Sequence, residues 1–359
     1  MRVALAVLAV LALAGCSADP SGLPTSEASG VQPEGDPEVL ATGLEAPWSV
    51  IRLESGSALI SERDTGFIKE YTADGDVREV GTVDGVVAQG EGGLLGLAVS
   101  EAEDGWLYAY FTAASDNRVV RLALEGDAGS YSLGAASPIF TGLPKAGNHN
   151  GGRIAFGPDD RLYITAGDAG NREGAQDVDY LGGKLLRINA DGTVPSDNPF
   201  DGSPVYSLGH RNPQGIAWDD EGQLYAAEFG QDTWDELNRI DAGANYGWPV
   251  VEGESDNADY VDPVAQWSTD KASPSGLAFI NDTFFMAALR GERVWVIYPD
   301  SEDMHGVSWF EGEHGRIRDV TEGPDGSLWL VTNNTDGRGA PREGDDQLIQ
   351  YRLGELVEG

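Results

Sequence analysis

The chain has 359 residues with 60 acidic and 23 basic side chains, which gives a formal net charge of −37. Because nucleic-acid binding depends on clustered Lys and Arg that neutralise phosphates, this balance excludes a nucleic-acid partner. Hydrophobic residues make up 40% of the chain, nine residues are tryptophans and 49 are glycines. That composition supports a packed core with many tight turns, so it favours a folded all-β protein over a disordered chain.

The first elements in the chain are an export signal and a tether. Arg2 precedes an apolar run from Val3 to Gly15, which is too short to span a membrane and is typical of a signal-peptide core. The residues Leu-Ala-Gly-Cys at 13–16 resemble a bacterial lipobox, so residues 1–15 are predicted as a lipoprotein signal peptide and Cys16 as the lipidated residue. The alternative is an ordinary secretory signal with Cys16 incidental. Residues 16–37, rich in Ser, Pro, Gly and acids, are predicted to be a flexible tether, which would hold residues 38–359 at the outer face of the cell membrane.

A repeat organises the rest of the chain. An apolar strand, a turn of Gly, Asp or Pro, and a second strand centred on an apolar pair recur at intervals of 44 to 62 residues. Four short strands per period of this size indicate propeller blades. The six pairs are Ala58-Leu59, Leu107-Tyr108, Leu162-Tyr163, Leu224-Tyr225, Phe284-Phe285 and Leu328-Trp329.

The two ends of the chain are predicted to close the ring. After Leu328 only the run from Asp345 to Leu353 remains for the outer part of the sixth blade, and Val39 to Leu44 can supply the missing outer strand. The predicted fold is an all-β six-bladed propeller of four-stranded antiparallel blades, closed by an N-terminal strand. A pair of β-sandwiches is the alternative.

The phase of the repeat predicts where the chemistry lies. Residues just before the first strand of each blade and just after the second strand lie at one end of the central channel. These two phases collect a histidine, several arginines and amide-rich turns, as a site for an anionic small molecule requires. They include Glu91, Asn148 to Arg153, Gly167-Asp168, Gly209 to Gly215, Glu228 to Gln231, Arg290, Arg316 and Arg318.

Four motifs in this order carry a family resemblance. They are GNHNGGRIAFGPDDRLYITAGD, LGHRNPQGIAW, DELNRIDAGANYGWP and GRIRDV. Over about residues 38 to 353 the chain resembles the soluble PQQ-dependent aldose sugar dehydrogenases, the glucose/sorbosone dehydrogenase family. The resemblance implies that pyrroloquinoline quinone (PQQ) binds at the channel mouth, where the anomeric carbon of an aldose is oxidised to a lactone.

The resemblance also implies roles for individual residues. His149 matches the general base, and an imidazole suits proton removal near neutral pH. Arg211 is predicted to face both substrate and cofactor, and His210 is predicted to be structural. PQQ is a tricarboxylate, so its contacts are predicted at Glu91, Arg211, Asn212, Arg290, Arg316 and Arg318. The alternatives are a structural role for His149 and surface ion pairing for each arginine.

Calcium is the second cofactor that the resemblance implies. One ion would be held by the main-chain carbonyls of Gly230 and Gln231 and would polarise the reacting carbonyl of PQQ. A second, structural calcium is predicted at Asp235, Glu236 and the carbonyl of Tyr246, with Asp256 a weaker candidate. A solvated acidic loop is the alternative for this second site.

Three departures from the family pattern leave the preferred aldose open. Glu91 stands where some members have glutamine, Asn148 replaces an aspartate, and Arg290 replaces a lysine. A calcium-dependent lactonase and a non-catalytic sugar- or peptide-binding propeller therefore remain alternatives to the dehydrogenase. The sequence does not identify the electron acceptor, although it lacks a C-x-x-C-H haem motif, and both a monomer and a homodimer stay open.

Overall fold

The computed structural model describes residues 30–100, 102, 105–299, 304 and 306–356. These residues form twenty-five strands and two short 3-10 helices, Arg172–Gln176 and Pro324–Gly326. Within this part of the chain, no helix is long and apolar enough to cross a bilayer. The predicted signal peptide, Cys16 and residues 16–29 of the predicted tether lie outside the described residues.

The strands pair into six antiparallel sheets, which are the blades of the propeller. In chain order they are β1 (Val31–Ala41), β2 (Pro47–Arg52), β3 (Ala58–Glu62), β4 (Phe67–Tyr71), β5 (Val77–Thr82), β6 (Leu94–Val99), β7 (Trp106–Thr112), β8 (Asn117–Glu125), β9 (Ser132–Leu133), β10 (Ser137–Leu143), β11 (Ile154–Phe156), β12 (Leu162–Ala166), β13 (Lys184–Ile188), β14 (Val205–Leu208), β15 (Pro213–Trp218), β16 (Leu224–Glu228), β17 (Trp234–Ile240), β18 (Ala265–Ser268), β19 (Pro274–Ile280), β20 (Thr283–Ala288), β21 (Arg293–Ile297), β22 (Gly306–Trp309), β23 (Ile317–Glu322), β24 (Leu328–Thr332) and β25 (Leu348–Glu355). The blades are β2–β5, β6–β8 with β10, β11–β14, β15–β18, β19–β22, and β23–β25 with β1, while β9 pairs with β8.

The predicted six-bladed propeller is confirmed. All six apolar pairs of the repeat lie in the second strands of the blades, β3, β7, β12, β16, β20 and β24, and their side chains are buried. Because side chains alternate across a strand, the two members of each pair face opposite neighbours and contribute to the packing on both sides of the blade. The core is therefore a series of apolar layers between adjacent blades.

The closing strand is longer than the sequence predicts. β1 pairs with β25 from Val31 opposite Glu355 to Ala41 opposite Leu348, so residues 31–37, predicted as tether, belong to blade six. Conversely, the predicted closing segment Val39 to Leu44 runs past the end of β1. The pattern failed here because β1 is an outermost strand with mostly exposed side chains and two interruptions of register, so it shows no apolar alternation.

The end of the ring at which the first strands begin is called the upper face. Pro47 of β2 and Ile317 of β23 lie there, and β1, which is antiparallel to β23 across three pairings, ends there at Ala41. Below the upper face, an ion pair crosses the channel. Both terminal nitrogens of Arg153 lie 2.9 Å from the carboxylate of Asp319, which joins blade three to blade six beneath the site.

Candidate active site

A histidine–carboxylate pair lies at the upper face of blade three. His149 Nδ1 is 2.7 Å from Asp168 Oδ1, and Asp168 is fully buried. The other carboxylate oxygen accepts a hydrogen bond from Trp248 Nε1 at 2.9 Å, and the Gly170 amide donates to Oδ1 at 2.7 Å. Burial raises the pKa of Asp168, but these hydrogen bonds outweigh it and leave the pKa below its ordinary value. An ionised Asp168 therefore holds the proton of the imidazole on Nδ1 and leaves the lone pair on Nε2.

The loop before β11 presents His149 through a constrained backbone. His149 has a φ of 54°, in the left-handed region that non-glycine residues seldom occupy. The side-chain amide of the next residue, Asn150, fixes this turn. Its Oδ1 accepts hydrogen bonds from the Ala146 backbone amide and from Asn117 Nδ2, and its Nδ2 donates to the Ala146 carbonyl. Gly167 must lack a side chain, since a Cβ there would lie 2.2 Å from the His149 carbonyl oxygen. The glycines of the first motif thus permit the close approach of the two loops that carry His149 and Asp168.

Trp248 connects this pair to a second basic residue. The Arg211 guanidinium lies 5.5 Å from the centre of the Trp248 ring, and Arg172 lies 4.5 Å from it. Arg211 Nη1 donates to the Phe229 carbonyl at 3.3 Å, whereas its buried Nε has no hydrogen-bond partner among the described residues. Burial lowers the pKa of Arg211. The Arg211 side chain is therefore a buried cation whose Nε–H still lacks an acceptor among the described residues.

A cavity of about 190 Å³ opens beside the pair at the channel mouth. Its apolar wall contains Trp48, Phe229 and Leu289. Five arginines from three different blades converge on it, although the whole chain is strongly acidic. They are Arg63, Arg290, Arg316, Arg318 and Arg338, and Glu91 is the one acid among the residues that line the cavity.

The positive charge of this cavity is only partly balanced. Asp336 lies 3.1 Å from Arg316 Nη2 and 4.0 Å from Arg318 Nη2, and it serves both cations. Arg318 is deeply buried, and burial together with the charges of Arg316 and Arg63 lowers its pKa to about 9, against the opposing effect of Asp336. The Nε atoms of Arg316 and Arg318 are buried and have no hydrogen-bond partner within the described part of the chain. The cavity therefore has unbalanced positive charge and free N–H donors, which an anion could satisfy.

The donor set fits the tricarboxylate PQQ. Guanidinium groups suit carboxylates because they can donate two parallel hydrogen bonds, and the buried Nε atoms of Arg316 and Arg318 still lack acceptors. The structure brings the predicted residues Glu91, Arg290, Arg316 and Arg318 together in this lining. It adds Arg63 and Arg338, which are not among the residues predicted from the sequence.

Two predicted cofactor residues lie elsewhere. Arg211 lines a neighbouring small cavity with Trp248 and Glu228, and does not line the arginine cavity. Asn212 is buried, and its side-chain oxygen accepts a hydrogen bond from the Gly151 amide at 3.0 Å. Asn212 therefore supports the loop of His149 and does not line the arginine cavity, because the turn before β15 directs it between blades three and four. His210 is fully buried between Glu228 and Ser207, at 2.7 and 2.9 Å, in agreement with a structural role.

The two carbonyls predicted to bind calcium lie in a loop organised by one carboxylate. Glu252 Oε1 accepts hydrogen bonds from four successive amides, Gln231 to Trp234, at 2.7 to 3.2 Å. In a trans peptide the C=O points opposite to the N–H of the next residue. Since the amides of Gln231 and Asp232 point at Glu252, the carbonyls of Gly230 and Gln231 point away from it. This pair of parallel carbonyl oxygens fits a hard cation such as Ca²⁺.

The predicted second calcium set is only partly brought together. Asp235 and Glu236 are adjacent on β17, so they point to opposite faces of the blade. Asp235 accepts from the amides of Gly230 and Ser273, whereas Glu236 shares a water-sized cavity of about 10 Å³ with Tyr246 and Glu228. Asp256 is exposed. The side chains of Asp235 and Glu236 therefore do not converge on one point, and the second calcium site stays a prediction.

The chemistry around Glu236 still fits a cation. Burial and the nearby charge of Glu228 raise the pKa of Glu236 to about 8. Asn238, two residues along the same face of β17, has a buried Oδ1 without a hydrogen-bond partner among the described residues. Within those residues, however, no group of three or more His, Cys, Asp or Glu side chains is arranged to hold a metal ion. Main-chain oxygens would have to supply the remaining ligands.

Together, the fold and the site define a β-propeller enzyme in which a histidine–carboxylate pair stands beside an anion-binding cavity. The sequence model of the Glucose / Sorbosone dehydrogenase family matches residues 44–343. The chain therefore belongs to the glucose/sorbosone dehydrogenase family.

Individual relatives agree with this assignment. The PQQ-bound structure of the aldose sugar dehydrogenase from Streptomyces coelicolor is 49% identical, covers 90% of this chain and all of its own, and superposes with a TM-score of 0.85. The aldose sugar dehydrogenase YliI of Escherichia coli is 32% identical over 84% of this chain and 90% of its own length. The quinoprotein glucose dehydrogenase B of Acinetobacter calcoaceticus is 32% identical over 63% of this chain and 55% of its own.

Proposed function

We propose that this protein oxidises aldose sugars at C1 to the corresponding lactone, with PQQ and calcium as cofactors and His149 as the general base. The observation that supports it most directly is the bond from His149 Nδ1 to the buried Asp168, next to a cavity lined by five arginines. The names of the relatives from S. coelicolor and E. coli support the same reaction class.

His149 would accept the proton of the C1 hydroxyl at Nε2. Its Nδ1–H is bonded to Asp168, so Nε2 carries the lone pair, and the side chain keeps 14% of its surface exposed at the site. As the proton arrives, the imidazole becomes a cation, and the carboxylate of Asp168 at 2.7 Å stabilises it. The C1–H bond breaks with its electron pair in the same oxidation. Bound PQQ would supply the two-electron acceptor, with its reacting carbonyl polarised by calcium.

The remaining residues would hold the cofactors. Arg63, Arg290, Arg316 and Arg318 would bind the carboxylates of PQQ, and the carbonyls of Gly230 and Gln231 would bind the adjacent calcium. Glu236 and Tyr246 would contribute to a second calcium site. Arg211, which stacks on Trp248, would contact the substrate at the edge of the site.

We also propose that the protein is exported and anchored through a lipid on Cys16, and that it passes electrons to a separate acceptor. The lipobox at residues 13–16 and the lack of a haem motif support these two proposals. Mass spectrometry of the purified protein tests the first, because a diacylglycerol on an N-terminal Cys16 has a distinctive mass. An unmodified N-terminus elsewhere would favour an ordinary secretory signal.

The central experiment is reconstitution of the purified protein with PQQ and calcium, followed by dye reduction with a panel of aldoses. We expect sugar-dependent reduction that His149→Ala lowers by roughly 10³-fold or more, while PQQ binding, followed by absorbance, stays within a few-fold of wild type. Omission of calcium should also lower the rate. A wild-type protein that does not bind PQQ would overturn the proposal, and lactone hydrolysis without PQQ would identify a lactonase instead.

A further inference from the structure

The single acid in the arginine cavity is held in two directions. Glu91 Oε2 accepts a hydrogen bond from the His149 amide at 2.9 Å, and Glu91 Oε1 lies 3.1 Å from Arg338 Nη2. Glu91 reaches this position from the loop before β6, where its own amide donates to the Gly147 carbonyl at 3.0 Å. One carboxylate thus connects the backbone of the proposed base to a cation in the loop between β24 and β25.

This arrangement resolves an electrostatic conflict in the cavity. A carboxylate beside a tricarboxylate cofactor would repel it, and glutamine in place of Glu91 would avoid the repulsion. Here Arg338, which is half exposed, supplies the counter-charge. Two nearby acids already have partners, since Asp64 is bonded to Arg63 at 2.6 Å and Asp336 serves Arg316 and Arg318. Among the lining residues, Arg338 is the cation whose ion pair is with Glu91.

We infer that Arg338 is a positioning residue that neutralises Glu91 and keeps it against the His149 amide, so that Glu91 and Arg338 act as one unit in admitting an anionic cofactor. This inference rests on the proposed function. Arg338 is itself anchored for this role, because its backbone amide donates to Asp336 Oδ1 at 2.8 Å. The same aspartate therefore fixes Arg316 by its side chain and Arg338 by its backbone.

A double-mutant cycle tests the coupling. PQQ is titrated into the metal-loaded full-length protein and binding is followed by absorbance. We expect Arg338→Gln to weaken PQQ binding about tenfold, because it leaves Glu91 as an unpaired negative charge in the cavity. Glu91→Gln alone leaves Arg338 as an unpaired positive charge, so it should strengthen PQQ binding. In the double variant, affinity should return to within about twofold of wild type, because neither the negative charge of Glu91 nor the positive charge of Arg338 remains.

A second arginine of the same loop provides the control. Arg342 donates to the carbonyls of Gly312 and Glu313 and makes no contact with Glu91. Arg342→Gln removes the same charge and a similar number of loop contacts, so it should leave PQQ affinity within about twofold of wild type. Thermal melting of each variant without PQQ reports any loss of folding separately.

The outcomes are distinguishable. If Arg338→Gln binds PQQ as well as wild type, or if the double variant binds no better than Arg338→Gln, Arg338 does not act through Glu91 and the inference is wrong. An equal loss in Arg342→Gln would show a general effect of the loop and would also overturn it. Failure of the wild-type protein to bind PQQ would instead overturn the proposed function, and this inference with it.

Discussion

Asp168 accepts hydrogen bonds from two aromatic side chains that lie 99 residues apart in the sequence, His149 at 2.7 Å and Trp248 at 2.9 Å. Each uses a different carboxylate oxygen, so both oxygens have fixed donors. An asparagine cannot reproduce this arrangement, because its NH₂ group would oppose either the Trp248 indole N–H or the donor N–H of His149. Asp168→Asn should therefore lower kcat by roughly 10²–10⁴-fold with little change in PQQ affinity. Steady-state dye reduction and a PQQ titration measure the two quantities, and an equal loss of both would indicate that the site has collapsed.

The same carboxylate predicts how stability depends on pH. The pKa of Asp168 in the folded protein lies below its ordinary value, so the folded state favours the ionised form. Its contribution is present above the pKa of the unfolded chain and is lost as pH falls through the lower folded value. The free energy of unfolding of wild type should exceed that of Asp168→Asn by about 1–3 kcal/mol at neutral pH, and this difference should shrink below about pH 4. Urea unfolding at several pH values measures it, and a difference that grows in acid would contradict the assignment.

Glu252 is predicted to control calcium binding without touching the ion. Its Oε1 gathers four amides and thereby directs the carbonyls of Gly230 and Gln231 away from itself. Glu252→Ala should weaken calcium binding at least about tenfold, because the loop would lose the acceptor that orders it. Isothermal titration with calcium provides the measurement. Glu254→Ala is the matched control, since Glu254 is exposed and its removal deletes the same charge two residues away.

The arginine cavity predicts a variant whose stability depends on the cofactor. Asp336→Asn removes the carboxylate shared by Arg316 and Arg318, so the buried cations lose their counter-charge. The free energy of unfolding without PQQ should fall by about 2–4 kcal/mol. Saturating PQQ should recover part of that loss, because its carboxylates would supply the missing negative charge. Thermal melting with and without PQQ tests this, and equal stabilisation of wild type and variant would argue against carboxylate binding there.

The closing strand predicts where the folded domain begins. A chain that starts at Gly30 should melt as the full-length protein does, because Gly30 accepts a hydrogen bond from Leu356 and Val31 donates to Thr283. A chain that starts after Ala41 should melt roughly 5–10 °C lower and self-associate through the exposed edge of β25. Calorimetry and size-exclusion chromatography compare the two. Identical behaviour would mean that β1 adds nothing to closure.

The repeat predicts the fold because each blade of a propeller needs buried apolar residues in its second strand, so these residues recur at regular intervals in the sequence. The apolar pairs such as Leu162-Tyr163 and Leu224-Tyr225 had to recur, since each second strand is buried between two neighbours. The same repeat brought His149, Arg316 and Arg318 to one end of the channel. By contrast, the sequence predicts only the last residues of β1, because an exposed edge strand needs no apolar period.

The parts of the site that the sequence missed depend on contacts between distant loops. Arg338 lies in the connection from β24 to β25, where no periodic signal exists. The sequence assigns no separate role to Trp248, and only the tertiary structure shows its bond to Asp168. The repeat could have predicted Arg63 as a site residue, because Arg63 directly follows the second strand β3, as Gly167-Asp168 follow the second strand β12. The separation of Asp235 from Glu236 also follows from strand alternation alone.

The direction of β1 determines how an anchored molecule would be oriented. This strand runs from Val31 at the lower end of the ring to Ala41 at the upper face, so a lipid-bearing N-terminus would connect to the side opposite His149. The arginine cavity would then point outward from the lipid surface, into the surrounding water. Sugar and electron acceptor would meet the protein on that outward side, and a diffusible carrier would reach the site more readily than one confined within the bilayer.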